Sequence, residues 1–174
     1  MDIEKLKYPI GKYVAPGVIS NEMIEEWIER LETFPVRLKA VCEGLTVEEM
    51  NLRYRPDGWM LKQVIHHLAD SHSNAYIRIK LALTEDDPVI KPYFEERWAE
   101  THEALNGSAN HSIDLLVALH AKLVLLLRSL SPHELNRTYF HPEHQLQFTI
   151  IYIIGMYAWH GDHHLAQISN TIKR

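Results

Sequence analysis

Apolar residues recur in this chain at three- and four-residue spacing, and the recurrence marks four long amphipathic stretches. Ile24, Ile28 and Leu31, followed by Val36, Leu38 and Val41, predict a first helix running to about Cys42. Ser20 reads as its N-cap, Glu22, Glu25 and Glu26 suit the positive end of the helix dipole, and Pro35 is a candidate kink. After the turn Pro56-Asp57-Gly58 a second helix is predicted from about Met60 to Leu83, ended by Asp86-Asp87-Pro88. A third runs from about Ser112 to Ser129 on Leu115, Leu116, Leu119, Leu123 and Leu126, and a last from about Phe148 to Asn170. Thr46-Val47-Glu48-Glu49 has capping-box spacing, Ser131-Pro132 opens a short turn, and a helical piece is expected around Glu95 to His102. Residues 1–19 read as extended or irregular and 136–146 as polar and turn-like, with no strand pattern. The expectation is an all-α protein, a four-helix bundle with short extra helices in the connections, forming one domain over residues 1–174.

Composition narrows the function classes. Eighteen basic residues against 23 acidic ones leave a net charge of −5, and no basic stripe points to nucleic acid or to an anionic membrane. A single cysteine, Cys42, excludes an internal disulfide and a cysteine-rich zinc cluster. The amino-terminal residues lack an apolar stretch, and the longest candidate span, Phe148 to Trp159, falls short of the ~20 residues of a membrane helix. A cytoplasmic protein with no membrane partner is expected. The unusual count is histidine, at 12. Imidazole is the commonest metal ligand and the usual acid–base group near neutral pH.

Two histidine groups stand out. The last helix carries Trp159-His160-Gly161-Asp162-His163-His164, in which His160 and His164 are one turn apart and share a face. Chance alone supplies about 0.8 such pairs in a chain this rich in histidine, so the spacing is a weak signal by itself. Direction adds to it: His164 falls inside one edge of the apolar arc, His160 just outside it, and His163 toward the polar side and solvent. The second helix carries His66-His67-Leu68-Ala69-Asp70-Ser71-His72. His72 lies in the middle of its apolar arc, His67 just beyond one edge beside Val64 and Ser71, and His66 farthest away. Periodicity leaves His72 and His67 both open as the inward residue. Three histidines from two helices leave an open metal position, the pattern of catalytic rather than structural zinc. Gly161 follows His160, so the glutamate of the His-Glu-x-x-His motif is missing.

These blocks carry a family resemblance. Tyr8-Pro9-Ile10-Gly11-Lys12-Tyr13, Gly58-Trp59, Gln63 through His72, Leu81 through Asp86, Tyr139 through His144 and Tyr157 through Ala166 match in order over nearly the whole chain. The sequence resembles the DinB/YfiT-like superfamily, and within it the YfiT branch of metal-dependent hydrolases and bacillithiol S-transferases. The resemblance implies a four-helix bundle, commonly paired as a homodimer. It also implies one divalent metal per chain, zinc before nickel, on His67, His160 and His164. It thereby selects His67 over His72. Asp162 and Gln167 depart from the family pattern. Asp162 is expected to alter surface charge only, whereas Gln167 lies one turn beyond His164 on nearly the ligand face and leaves a contact there open.

The leading expectation is an enzyme that transfers a low-molecular-weight, bacillithiol-like thiol to an electrophile, a detoxification reaction. Its small-molecule partners are that thiol and that electrophile. The alternative is a hydrolase that activates water on a hydrolysable substrate. A metal-binding stress protein without catalysis is the third reading, favoured if His72, Glu143 or a partner chain closed the coordination. Asp70 and Glu143 are candidate bases, with Asp70 more simply a solvated helix residue. His141 and His144 are read as surface loop histidines, Trp59 and Trp159 as core anchors, Arg53 and Arg55 as solvated arginines, and Cys42 as a packed apolar residue.

Overall fold

A computed structural model of the chain describes residues 2–174. Four long helices form the frame: α2 (Asn21–Cys42), α4 (Leu61–Thr84), α7 (Ala109–Arg128) and α9 (Ile150–Ile172). Helices α2 and α4 each pack on both α7 and α9, so they stand at opposite corners of the bundle. The connections carry α1 (Ile3–Lys7), α3 (Val47–Met50), α5 (Glu95–Trp98), α6 (His102–Asn106) and α8 (Pro132–Leu135). The anticipated caps form: the Ser20 hydroxyl accepts from the Met23 amide, and Thr46 with Glu49 and Ser131 with Glu134 close capping boxes. Helix α2 runs through the buried Pro35 without ending.

The structure corrects four expectations. The amino-terminal segment contains α1, capped by the Asp2 carboxylate accepting from the Glu4 and Lys5 amides. Five residues are too few for periodicity to register, but the cap was visible as Asp2. The polar 136–146 stretch contributes to a hairpin, β1 (Thr138–His141) paired antiparallel with β2 (Leu146–Thr149), with Thr138 opposite Thr149 and His141 opposite Leu146. Tyr139 and His141 face inward and Phe140 outward, an alternation too short to stand out in sequence. Segment 88–90 lies against β1, with the Ile90 amide donating to the Phe140 carbonyl at 3.1 Å. Third, α7 starts earlier than Ser112, at Ala109 after the Ser108 cap. Finally, among the described residues it is α7, not the Phe148–Trp159 stretch, whose length and composition would suit a membrane span. Its Ile113, Leu116, Leu119, Leu123 and Leu127 are instead buried in the bundle.

The apolar core divides in two. One cluster joins Ile24, Ile28 and Leu31 with Ala75, Ile79, Leu123, Ile153 and Ile154; the other joins Phe34 and Leu38 with Val64, Leu68, Leu116 and Ile168. Between them each helix turns a polar group inward: the Leu31 carbonyl of α2, His72 of α4, His120 of α7 and His160 of α9. This polar layer crosses the bundle and positions the site.

Candidate metal centre

His67 from α4 and His160 and His164 from α9 each bring one ring nitrogen to a common point, all within 4.8 Å of one another. His67 Nε2 and His160 Nε2 are 3.3 Å apart. His67 and His164 are buried and His160 is half-buried. The indole of Trp59 covers His67 at 4.9 Å between ring centres, so Trp59 forms a wall of the centre rather than a remote core anchor.

The outer nitrogens of His160 and His164 are fixed by a logic that starts at backbone carbonyls, which can only accept. The Leu31 carbonyl takes the proton of His120 Nδ1 at 2.6 Å. Neutral His120 therefore accepts at Nε2, and His72 Nδ1 donates to it at 2.9 Å. His72 then accepts at Nε2, and His160 Nδ1 donates there at 3.2 Å. His160 is left with its lone pair on Nε2, facing His67. A second chain begins at Lys7. The Gln167 amide nitrogen donates to the Lys7 carbonyl at 2.9 Å and to His163 Nε2 at 3.1 Å. Its oxygen consequently faces His164 and accepts from His164 Nδ1 at 2.8 Å, so His164 also presents Nε2. Such outer contacts orient a ligand and raise its basicity.

Burial keeps these rings neutral. It holds His67 and His120 at about 4, with His163 adding to the effect on His67. His160, His164 and His72 are driven well below the ordinary imidazole value by burial and by neighbouring imidazoles. A metal competes with protons for these lone pairs, so neutral rings are ready ligands. The donor set of three imidazoles with lone pairs converging fits a divalent transition-metal ion.

Several sequence expectations change. His163 is buried, not solvent-facing, and stacks on Trp159 at 4.7 Å. His66 is buried too, its Nδ1 2.8 Å from the Ser112 hydroxyl, because α6 and α7 cover that side of α4. His141 is buried on β1, whereas His144 is exposed as expected. Asp70 is half-buried; burial and the nearby Glu103 push its carboxyl up to about 6, but it bonds to no site histidine. Glu143 is exposed. Arg53 and Arg55 brace the turn around Gly58 and Tyr54. Cys42 is buried and its thiol is pushed up to about 11, in keeping with a packing role. Asp162 is no mere surface charge: it receives Arg30 at 2.7 and 2.9 Å and Arg37 at 2.7 Å, tying α9 to α2. His120 was passed over in the sequence, although it is in phase with Leu116, Leu119 and Leu123.

Residues 30–168 match the DinB superfamily. The chain belongs to this superfamily. A relative from Oceanobacillus iheyensis, named "Putative metal-dependent hydrolase", is 50% identical over 97% of this chain and 96% of its own length. Bacillus subtilis YfiT, which carries the same description, is 41% identical over 97% of this chain and 95% of its own. The solved B. subtilis YfiT structure is described as "a probable metal-dependent hydrolase with an unusual four-helix bundle topology". It superimposes with a TM-score of 0.95 at 40% identity, covering 98% of this chain and 97% of that one. The bundle expected from the sequence is thus the fold of a close relative.

Proposed function

We propose that this chain is a metal-dependent enzyme of small-molecule chemistry whose His67, His160 and His164 hold one divalent ion, zinc before nickel. The observation that carries the reading is the convergence of three neutral imidazole nitrogens, two of them fixed from behind by backbone carbonyls. When bound, such an ion acts as a Lewis acid and lowers the pKa of a coordinated thiol or water. The chain orients the ligands through His72, His120 and Gln167, and screens one side with Trp59.

Transfer of a small thiol to an electrophile is the preferred reaction. Among the described residues no hydrogen bond or ion pair joins a carboxylate to His67, His160 or His164, and thiolate attack needs no base to take a proton from water. Hydrolysis is the second reading, favoured by the names of the relatives. Exposed apolar side chains on α2 and α7 (Val36, Val117 and Leu125) support pairing of two copies. The reading places the enzyme in the cytoplasm, where small thiols are kept reduced.

Elemental analysis of the purified chain tests the centre. About one metal per chain is expected in the wild type, lost in each of His67→Ala, His160→Ala and His164→Ala. A wild type that takes up no metal after reconstitution overturns the proposal. On the loaded protein, consumption of an electrophile only when a thiol is present supports transfer. Turnover of an ester or amide without thiol supports hydrolysis.

A further inference from the structure

We propose that Arg78, flanked by His141 and the phenols of Tyr139, Tyr157 and Tyr93, is a binding subsite for the carboxylate of a small anionic substrate beside the histidine centre. Arg78 is only 9% exposed, yet among the described residues no carboxylate lies within ion-pair distance of it. Its Nε is buried and has no hydrogen-bond partner, and His141 Nδ1 is buried and unpartnered as well. A guanidinium buried without a counter-ion is strongly disfavoured, and such groups are normally paired. Two unpartnered nitrogens in one neighbourhood point to a missing anionic group.

The surroundings are built by three elements. Arg78 lies eleven residues after His67 and seven after Ser71, on nearly the same edge of α4, and helical side chains lean back toward the amino terminus. Strand alternation turns Tyr139 and His141 to the same face of β1, the Tyr139 hydroxyl against the guanidinium and His141 within reach of its charge. Tyr157 of α9 feels the same charge. Tyr157 is the wall shared with the histidine centre: its ring lies 5.0 Å from His72 and 5.5 Å from His160, and its hydroxyl accepts from Ser71 at 3.3 Å. Tyr93 also reaches the Ser71 hydroxyl, so segment 88–94 closes that side. A planar guanidinium with phenolic donors around it matches a carboxylate, which it can grip with two parallel hydrogen bonds. Two exposed carboxylates act on this cluster without pairing with Arg78: Glu95, at the start of α5, on Tyr93 and Tyr157, and Glu143 on His141.

The role of this subsite rests on the enzymatic reading of the histidine centre; the binding itself does not. The test titrates the purified chain, with and without zinc, with succinate and with its neutral counterpart succinamide, following the His141 ring resonances by NMR. Succinate is expected to shift those resonances saturably and to bind at least about tenfold more tightly than succinamide, as a charge-assisted fork predicts. Arg78→Gln is expected to remove at least about tenfold of that affinity, and Arg78→Lys, which keeps the charge and the packing, to retain part of it. Equal binding of the two probes by the wild type, or equal succinate binding by wild type and Arg78→Gln, overturns the subsite. Zinc content is measured on the same samples. One zinc per chain without a succinate preference overturns the subsite alone, and a succinate preference without metal uptake overturns the centre alone.

Discussion

A histidine can ligate through either ring nitrogen, and at this candidate centre the nitrogen left free is set by groups one to three side chains behind the ring. The Leu31 carbonyl sets His120, His120 sets His72, and His72 leaves His160 with a free Nε2. The Lys7 carbonyl does the same for His164 through a single amide, Gln167. Loss of these outer partners commonly lowers metal affinity 10- to 100-fold, so about that loss is expected for Gln167→Leu and for His72→Phe. Competition of the variants with a chelating zinc dye measures it; affinities equal to wild type would show the outer bonds to be idle. Gln167 was singled out in the sequence because it departs from the family pattern, and the structure gives it work. His72 was legible as a core histidine from its place on the apolar arc. Its partner could not be read, since nothing in one helix says which ring of another will face it.

At the scale of elements, the centre depends on how closely α2 approaches α9. Gly161 permits that approach: a Cβ there would come within 3.0–3.2 Å of the Phe34 ring. Phe34 in turn stacks on His72 at 5.4 Å and packs beside His120. Gly155 is tighter still, its Cβ meeting Trp27 at 2.9 Å. Alanine gains about 1 kcal/mol of helix propensity over glycine, while overpacking costs about 1–3 kcal/mol. Gly155→Ala should therefore be net destabilising by about 1–2 kcal/mol and Gly161→Ala by less, with weakened metal binding in the latter through Phe34 and His72. Urea midpoints together with the dye competition check both; a Gly155→Ala protein more stable than wild type contradicts the packing argument. The long helices were legible because their apolar period extends over many turns. Helix α1 and the hairpin were not, because five residues hold little more than one helical turn and four only two strand alternations, and what orders them is contact with the bundle.

For the whole molecule, a polar layer of neutral imidazoles across the core makes stability depend on pH. His67 and His120 titrate at about 4 when folded, against 6.5 for an exposed imidazole. Between those values the unfolded chain binds protons that the folded chain does not, so stability is fully present above about 6.5 and falls as pH drops toward 4. Each contributes up to roughly 3 kcal/mol over that window. Asp70 acts in the opposite sense: its carboxyl titrates at about 6 against 3.8, which favours the folded state at lower pH, but it is one group against several. Metal-free protein should thus lose stability steadily from pH 7 to pH 5, read as a falling urea midpoint; an unchanged midpoint would show the layer to be charged or solvated. The sequence alone determined the helices, since repeating apolar spacing is a local property that burial enforces. It also put His160 and His164 on one face, since one turn of helix separates them. The resemblance supplied His67. Only the tertiary structure decided which rings meet, that Lys7 and Leu31 fix tautomers from distant elements, and that Arg78 is buried without a counter-ion. Those facts depend on the orientation of one helix against another, which no single segment encodes.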